Sequence, residues 1–125
     1  MGLESGNDEV LRRIKKGASR EEQIRAGQLL SRAGIENSTY VMLGVGGKEL
    51  SREHAEQTVT AINAIHPDFV RVRTFLPKVN TPLLRQIEKG EFQIVSPHDA
   101  RQELRTLIAG IECITRLTSD HYTNY

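Results

Sequence analysis

The chain has 125 residues, enough for one domain with a real core, and its 17 basic side chains nearly cancel its 16 acidic ones. A formal net charge of +1 argues for no polyanion partner, so no nucleic acid is indicated. Seven basic residues do lie between Arg12 and Arg32, but acids are interleaved among them, the pattern of a solvated helical face. Cys113, the only cysteine, excludes an internal disulfide and any multi-cysteine metal site, and its neighbours Ile111 and Ile114 mark it as a buried, inert thiol. His54, His66, His98 and His121 never pair at the three- or four-residue spacing of a helical metal site. No stretch approaches a membrane span and none reads as a signal peptide, so a cytoplasmic location without membrane contact is expected.

Helices and strands alternate. After a strand stub at GLES, Asp8 to Lys16 carries Val10, Leu11 and Ile14 on one helical face, and Gly17 supplies a stop. Ser19 with Glu22 forms a capping box that opens a helix through about residue 33, striped by Ala26, Leu29, Leu30 and Ala33. A strand is predicted from Asn37 to Leu43. Ser51 is the expected cap of a third helix, striped by Ala55, Val59, Ile62 and Ile65 and broken at His66-Pro67. Phe69 to Phe75 is rich in β-formers. Thr81-Pro82 opens a short helix ending at Gly90, and Phe92 to Val95 reads as a brief extended piece. Ser96-Pro97 with Asp99 opens the last helix, striped by Leu104, Leu107, Ile108 and Ile111.

Strands separated by helices imply parallel pairing through right-handed crossovers. A sheet this small leaves long unpaired edges and one bare face, so the pattern is that of part of something larger, and self-association through the exposed sheet is expected. Successive strand side chains alternate. Thr39, Val41 and Leu43 therefore share a face, as do Val70, Val72 and Thr74, and these β-branched faces take the helices. Tyr40, Met42, Arg71 and Arg73 fall on the other side. Two arginines there require water, a ligand or an acid; the remaining possibility is an open, solvated sheet face.

The stretch YVMLGVGGKE (residues 40–49) runs from a strand into glycines. A P-loop fails on spacing, because Met42 stands five before Gly47 and Glu49 follows Lys48. The dinucleotide fingerprint starts with Gly44 and Gly46 and fails at Glu49. What remains is a strand end whose glycines let a ligand approach the backbone, at the end of a parallel sheet where ligands bind, or else a flexible connector.

GLESGNDEVLRRIKKG, YVMLGVGGKE and FVRVRTFLPKVNTPL, in that order and spacing, resemble the carboxyl half of the radical S-adenosylmethionine (radical SAM) core domain over roughly residues 2 to 90. In that superfamily the fourth strand of a partial (β/α) barrel ends in an (E/Q)SGSDxVL-like segment. The fifth ends in a hydrophobic-Gly turn, and the sixth is followed by a Pro and a G/N-TP turn. The resemblance implies an α/β fold, a fragment of a partial (β/α) barrel with parallel strands and flanking helices. Residues 1–95 would form the carboxyl-terminal half of the barrel, and 96–125 a helix and a polar tail.

By position, the resemblance places Glu4 and Ser5 beside the methionine or ribose part of the cofactor and Lys16 at its carboxylate. It places Gly44, Val45 and Leu76 at the adenine. Tyr40 stands where many members have an acid for the ribose hydroxyls. Arg71 and Arg73 would line the lumen near substrate, and His121 could reach the site from SDHYTNY, a stretch that also reads as a fraying polar tail. Residue by residue, Glu4 and Lys16 equally suit the charge preferences of helix ends.

The superfamily holds a [4Fe–4S] cluster through CxxxCxxC, which one cysteine cannot supply. The chain is accordingly expected to be part of a bacterial Fe–S oxidoreductase-like enzyme, inactive alone, with no catalytic or metal-ligating residue of its own. The parent would carry S-adenosylmethionine and the cluster, none bound in this chain, and its partners would be the missing amino-terminal half of the domain and a small-molecule or unknown substrate. The alternative is a standalone, non-catalytic α/β binding module that uses the glycine-rich loop.

Overall fold

The computed structural model describes residues 1–79, 81–122 and 124. Its elements are β1 (Gly2–Glu4), α1 (Asp8–Arg13), α2 (Arg20–Arg32), β2 (Ser38–Leu43), α3 (Gly47–Ile65), β3 (Phe69–Thr74), α4 (Pro82–Glu88), α5 (Pro97–Gly110) and β4 (Arg116–Thr118). The strands form one parallel sheet in the order β1-β2-β3-β4. Strands laid down in sequence order, joined by crossovers of one hand, put the packed helix layer on one side, as in a barrel wall. α3 and α5 supply that layer with α2 against α3, while α4 buries no residue and lies at the strand ends. A doubly wound sheet would reverse its order midway and cover both faces.

The strand faces divide as their alternation predicts. Thr39, Val41, Leu43, Val70, Val72 and Thr74 are buried beneath the helices. With Leu3, Ile62, Ile65 and Leu107 they make the core. On the opposite face Tyr40, Met42 and Arg71 are half-buried and Arg73 is exposed. Among the described residues no helix is long and apolar enough to cross a membrane.

Several local expectations need correction. α1 stops at Arg13, where Ile14 caps it and Lys15 turns left-handed at φ 54°, so the chain leaves the helix before Gly17. α2 does have the Ser19–Glu22 capping box, but its buried residues are Gln23 and Gly27, while Leu29 is 58% exposed. The reason is close approach: a Cβ on Gly27 would sit 2.6 Å from Ile65 Cγ2, so the Ile65 side chain of α3 packs directly on the α2 backbone. Ser51 does not cap α3. That helix starts at Gly47, whose N–H closes a turn onto the Gly44 carbonyl at 3.0 Å, and the Lys48 N–H finds the Gln93 carbonyl at 2.9 Å. With those donors satisfied, the Ser51 hydroxyl is available for Glu103 on α5, at 2.5 Å. Phe92–Val95 forms no strand, Ile108 is 61% exposed, and the sheet has a fourth strand, β4, which the sequence reading missed.

Arg116–Thr118 pair along β3, and Asn124 is tied to the same strand. Beyond β4 the Asn124 side chain accepts from the Thr74 N–H and donates to the Val72 carbonyl, both at 2.9 Å, continuing the β3 ladder with an amide in place of a strand. This anchorage replaces the fraying-tail reading of SDHYTNY for Asn124.

Beneath the carboxyl ends of β1 and β2 lies a buried polar network. The Ser5 oxygen accepts the Asn7 N–H at 3.0 Å, and its own proton goes to His54 Nδ1 at 2.8 Å. That leaves the His54 ring proton on Nε2, for the Met42 carbonyl. Nε2 also lies 3.7 Å from Glu103 Oε2. Burial holds the His54 pKa down at about 4, so the ring is neutral at pH 7 and this contact is no ion pair. Glu103, 2% exposed, is pushed upward by the same burial, against its bonds from Ser51 and Gly44.

Two tests follow from this packing. The unfolded chain protonates His54 near pH 6.5 and the folded chain only near 4. Its contribution is therefore complete above pH 6.5 and is lost as pH falls towards 4, by about 2 kcal/mol at pH 5. Urea unfolding at pH 7.5 and 5 will show a smaller acid loss in His54→Gln than in the wild type; equal losses would exclude the buried neutral imidazole. Gly6 presses on α3 so closely that a Cβ would lie 2.2 Å from the Gln57 carbonyl oxygen. Gly6→Ala should cost about 3 kcal/mol in the same experiment, and a loss below about 1 kcal/mol would contradict this packing.

Candidate functional site at the strand ends

The ESGN stretch divides its labour by side chain. Glu4, at φ 60°, occupies the left-handed region that non-glycine residues avoid at a cost of roughly 1–2 kcal/mol. The turn coincides with a register shift in β1 and brings the carboxylate to the strand ends. Ser5 faces the other way and is fully buried, with its hydroxyl on His54 and Asn7. Gly6 donates its N–H to Thr58 Oγ1 at 2.9 Å, and the Asn7 side chain caps α1 through the Val10 N–H. Of the four, Glu4 reaches the cavity described next, and the three behind it hold its position against α3 and α1.

Lys16 Nζ approaches Glu4 Oε1 at 3.3 Å, both side chains about a quarter exposed. The pair sits on the wall of a cavity of about 460 Å³ that also includes Met42, Val45, Phe75 and the Thr81-Pro82 turn. A second cavity, about 430 Å³, shares Met42, Phe75 and Thr81 with the first and adds Arg73, Leu76 and His121. The two cavities adjoin over the strand ends as the two halves of a trough, charged at the Glu4–Lys16 end and with Met42 and Phe75 between them.

The structure thus brings together Glu4, Lys16 and Val45 in one half of the trough, and Leu76, Arg73 and His121 in the other. Gly44 lies behind Val45 at φ 78°, its N–H bonded to Glu103 Oε2 at 2.7 Å, and a Cβ there would strike Val95 at 2.6 Å. Tyr40 is one step further down β2, where the Arg73 guanidinium stacks on its ring at 4.6 Å. Arg71 donates to Ser38 Oγ at 3.0 Å and lies against Phe69. His121 stacks near the Tyr122 ring at 4.6 Å.

Sequence reasoning did not assign Met42 or Phe75 to the site, although alternation placed Met42 on the face opposite the helices. Glu103 and His54 carried no signal, because an acid within a helix and an isolated histidine fit a solvated face equally well.

A second hollow, of about 340 Å³, lies on the far side of the glycine loop against Arg13, Lys48, Phe92 and Gln93. Its Gly47 and Lys48 N–H groups are already bonded to backbone carbonyls, which removes two of the donors a phosphate would use at a helix start. Cys113 is half-buried, its thiol 3.8 Å from the Ile62 carbonyl and its pKa raised by burial, as suits an unreactive group. Among the described residues no three His, Cys, Asp or Glu side chains gather in a metal-binding group. With one thiol in the whole sequence, the residues present do not fit a cluster. They do fit the amino-acid and adenine parts of S-adenosylmethionine, a zwitterion facing a carboxylate–ammonium pair and a flat base facing an apolar trough.

Comparison with known proteins bears on the family and the fold. Residues 1–62 match the family model described as the Radical SAM superfamily. A tRNA uridine(34) acetyltransferase from Methanocaldococcus infernus is 30% identical over 95 residues, covering 74% of this chain and 18% of the relative. The solved archaeal Methanocaldococcus infernus Elp3 with an amino-terminal deletion (1–46) superposes with a TM-score of 0.78 at 26% identity. That match covers 94% of this chain and 28% of the Elp3 chain, so the chain spans under a third of either relative. These relatives are archaeal and one is named an acetyltransferase, whereas a bacterial oxidoreductase-like branch had been expected. With an α/β wall of parallel strands ordered as in a barrel and the matching strand-end segments, the chain belongs to the radical SAM superfamily.

Proposed function

We propose that this chain supplies the methionine- and adenine-binding half of an S-adenosylmethionine site, and that the cluster-binding CxxxCxxC segment is supplied by another part of the same larger protein. The observation that carries this reading is the convergence of Glu4, Lys16 and Val45 on one cavity. The cofactor's ammonium would take Glu4 and its carboxylate Lys16, separating a partly exposed pair whose mutual attraction is worth only about 0–1 kcal/mol. Val45, Met42 and Phe75 would pack on the adenine. Bound at a cluster, S-adenosylmethionine supplies reductive cleavage at its sulfonium; the residues here bind and orient it.

The open sheet face supports a reading of the parent's substrate. Arg71 and Arg116 flank the Phe69 ring at 5.8 and 5.7 Å, and Arg73 covers Tyr40. None of the three pairs with a carboxylate among the described residues. Clustered, stacked guanidiniums favour a polyanionic substrate in spite of the chain's near-neutral total. A tRNA, as in the relative's name, is such a substrate.

Half a site should bind weakly, in the millimolar range. Titrating S-adenosylmethionine into labelled chain should shift Val45 and Met42 resonances, and Lys16→Ala should weaken the response about fivefold, equivalent to about 1 kcal/mol. Micromolar saturation centred on Gly46–Lys48 would instead establish the binding-module alternative. For the arginine face, the slope of log affinity for a tRNA transcript against log salt should fall by about 1 in Arg71→Ala or Arg116→Ala. Unchanged slopes in both would exclude this face as the contact.

A further inference from the structure

The turn that carries Val45 is held from behind by a part of the chain outside the 1–62 match to the family. Four contacts fix it. The Gly44 N–H goes to Glu103 Oε2 at 2.7 Å, the Lys48 N–H to the Gln93 carbonyl at 2.9 Å, and the Gly44 Cα hydrogens face Val95. Gly47 lies against Phe92, whose ring and the Gln93 carbonyl would both be 3.0 Å from an added Cβ. Among these contacts Glu103 alone bonds the turn backbone through a side-chain acceptor. It is 2% exposed, and its other oxygen is fixed by Ser51 from the first turns of α3.

We propose that Glu103 is a positioning residue for the ligand trough: from α5 it fixes the Gly44–Val45 backbone so that Val45 presents its face to an adenine. The proposal deepens the cofactor-site reading above and rests on it. The geometry suits this role better than a stabilising one. A buried carboxylate with two hydrogen bonds contributes little net stability compared with an apolar side chain of the same size, but it fixes the donor atoms it accepts from. An apolar residue at position 103 would fill the space and leave the Gly44 N–H without an acceptor, free to reorient with the turn.

The placement also makes α5 part of the site. Leu107, one turn further along the same buried face, packs only in the core, so it reports on α5 packing without touching the turn. Glu103→Gln keeps a carbonyl for the Gly44 N–H, and its amide can donate to the Ser51 oxygen. Glu103→Leu keeps the volume and removes both acceptors.

Adenosine is the probe, titrated into the full chain and read from the Val45 and Met42 methyl resonances. The expected result is at least a fivefold weaker adenosine response in Glu103→Leu. Glu103→Gln should restore it to within twofold of the wild type, and Leu107→Ala should stay within twofold whatever its loss of thermal stability. Ser51→Ala, which frees one oxygen of the carboxylate while leaving α5 intact, should weaken binding two- to threefold and decides the matter if Glu103→Leu does not fold. The proposal is overturned if Glu103→Leu, or Ser51→Ala in that case, binds as the wild type does. It is equally overturned if Leu107→Ala loses as much as Glu103→Leu. A wild-type chain with no adenosine response at Val45 would instead remove the cofactor-site reading itself, a separate outcome from either.

Discussion

Everything at the strand ends follows from one topological constraint. Four parallel strands in sequence order, each joined by a crossover of the same hand, can receive helices on one face only. Burial on that face is complete, with Val41, Val70 and Val72 at 0–1% exposure, and it fixes the register of every strand. The opposite face is then free of core duty by construction. Its Tyr40, Met42, Arg71 and Arg73 are residues a two-sided core could not hold. The sheet that carries a ligand trough on one side is made rigid entirely by what it buries on the other.

Within that frame the ESGN segment works by a division that a motif alone does not reveal. Three of its residues are structural: Ser5 is bonded to His54, Gly6 lies against α3, and Asn7 caps α1. They fix the chain so firmly that Glu4 can be held at positive φ, its carboxylate beside Lys16. A resemblance that assigns both Glu4 and Ser5 to the cofactor therefore merges two roles. The structure puts the Ser5 hydroxyl inside the protein, facing α3 rather than the trough.

What was legible in the sequence was whatever depends on a short, local period or a cap. Alternation named the faces of β2 and β3, and Ser19, Thr81 and Ser96 each cap the helix they were expected to open. The failures share a cause too. α2 buries Gln23 and Gly27 rather than its most apolar stripe, because a glycine that admits a neighbouring helix contributes contact without hydrophobicity. Ser51 has cap chemistry but not the cap position, since the Gly44–Gly47 turn and the Gln93 carbonyl satisfy the helix start first. β4, three residues long with an arginine in it, presents no pattern at all. Its strand character comes from the edge of β3, which offers unpaired backbone to whatever passes.

The buried polar network shows why the least legible residues matter most to the site. The bonds that His54, Glu103 and Ser5 make return little net stability beyond their own desolvation, and their main effect is to give the buried Gly44 and Asn7 N–H groups fixed acceptors. What an apolar core cannot do is distinguish one backbone conformation of a glycine turn from another. Gly44, Gly46 and Gly47 leave residues 44–47 with little intrinsic preference, and two of them sit at positive φ. A conformation so weakly specified locally must be specified by its surroundings, through directional bonds to its own N–H groups. The Glu103 carboxyl group takes the Gly44 N–H, and the Gln93 carbonyl takes the N–H of Lys48 immediately after the turn. The glycines make close approach to a ligand possible, and the acid two helices away makes the approach occur in one geometry.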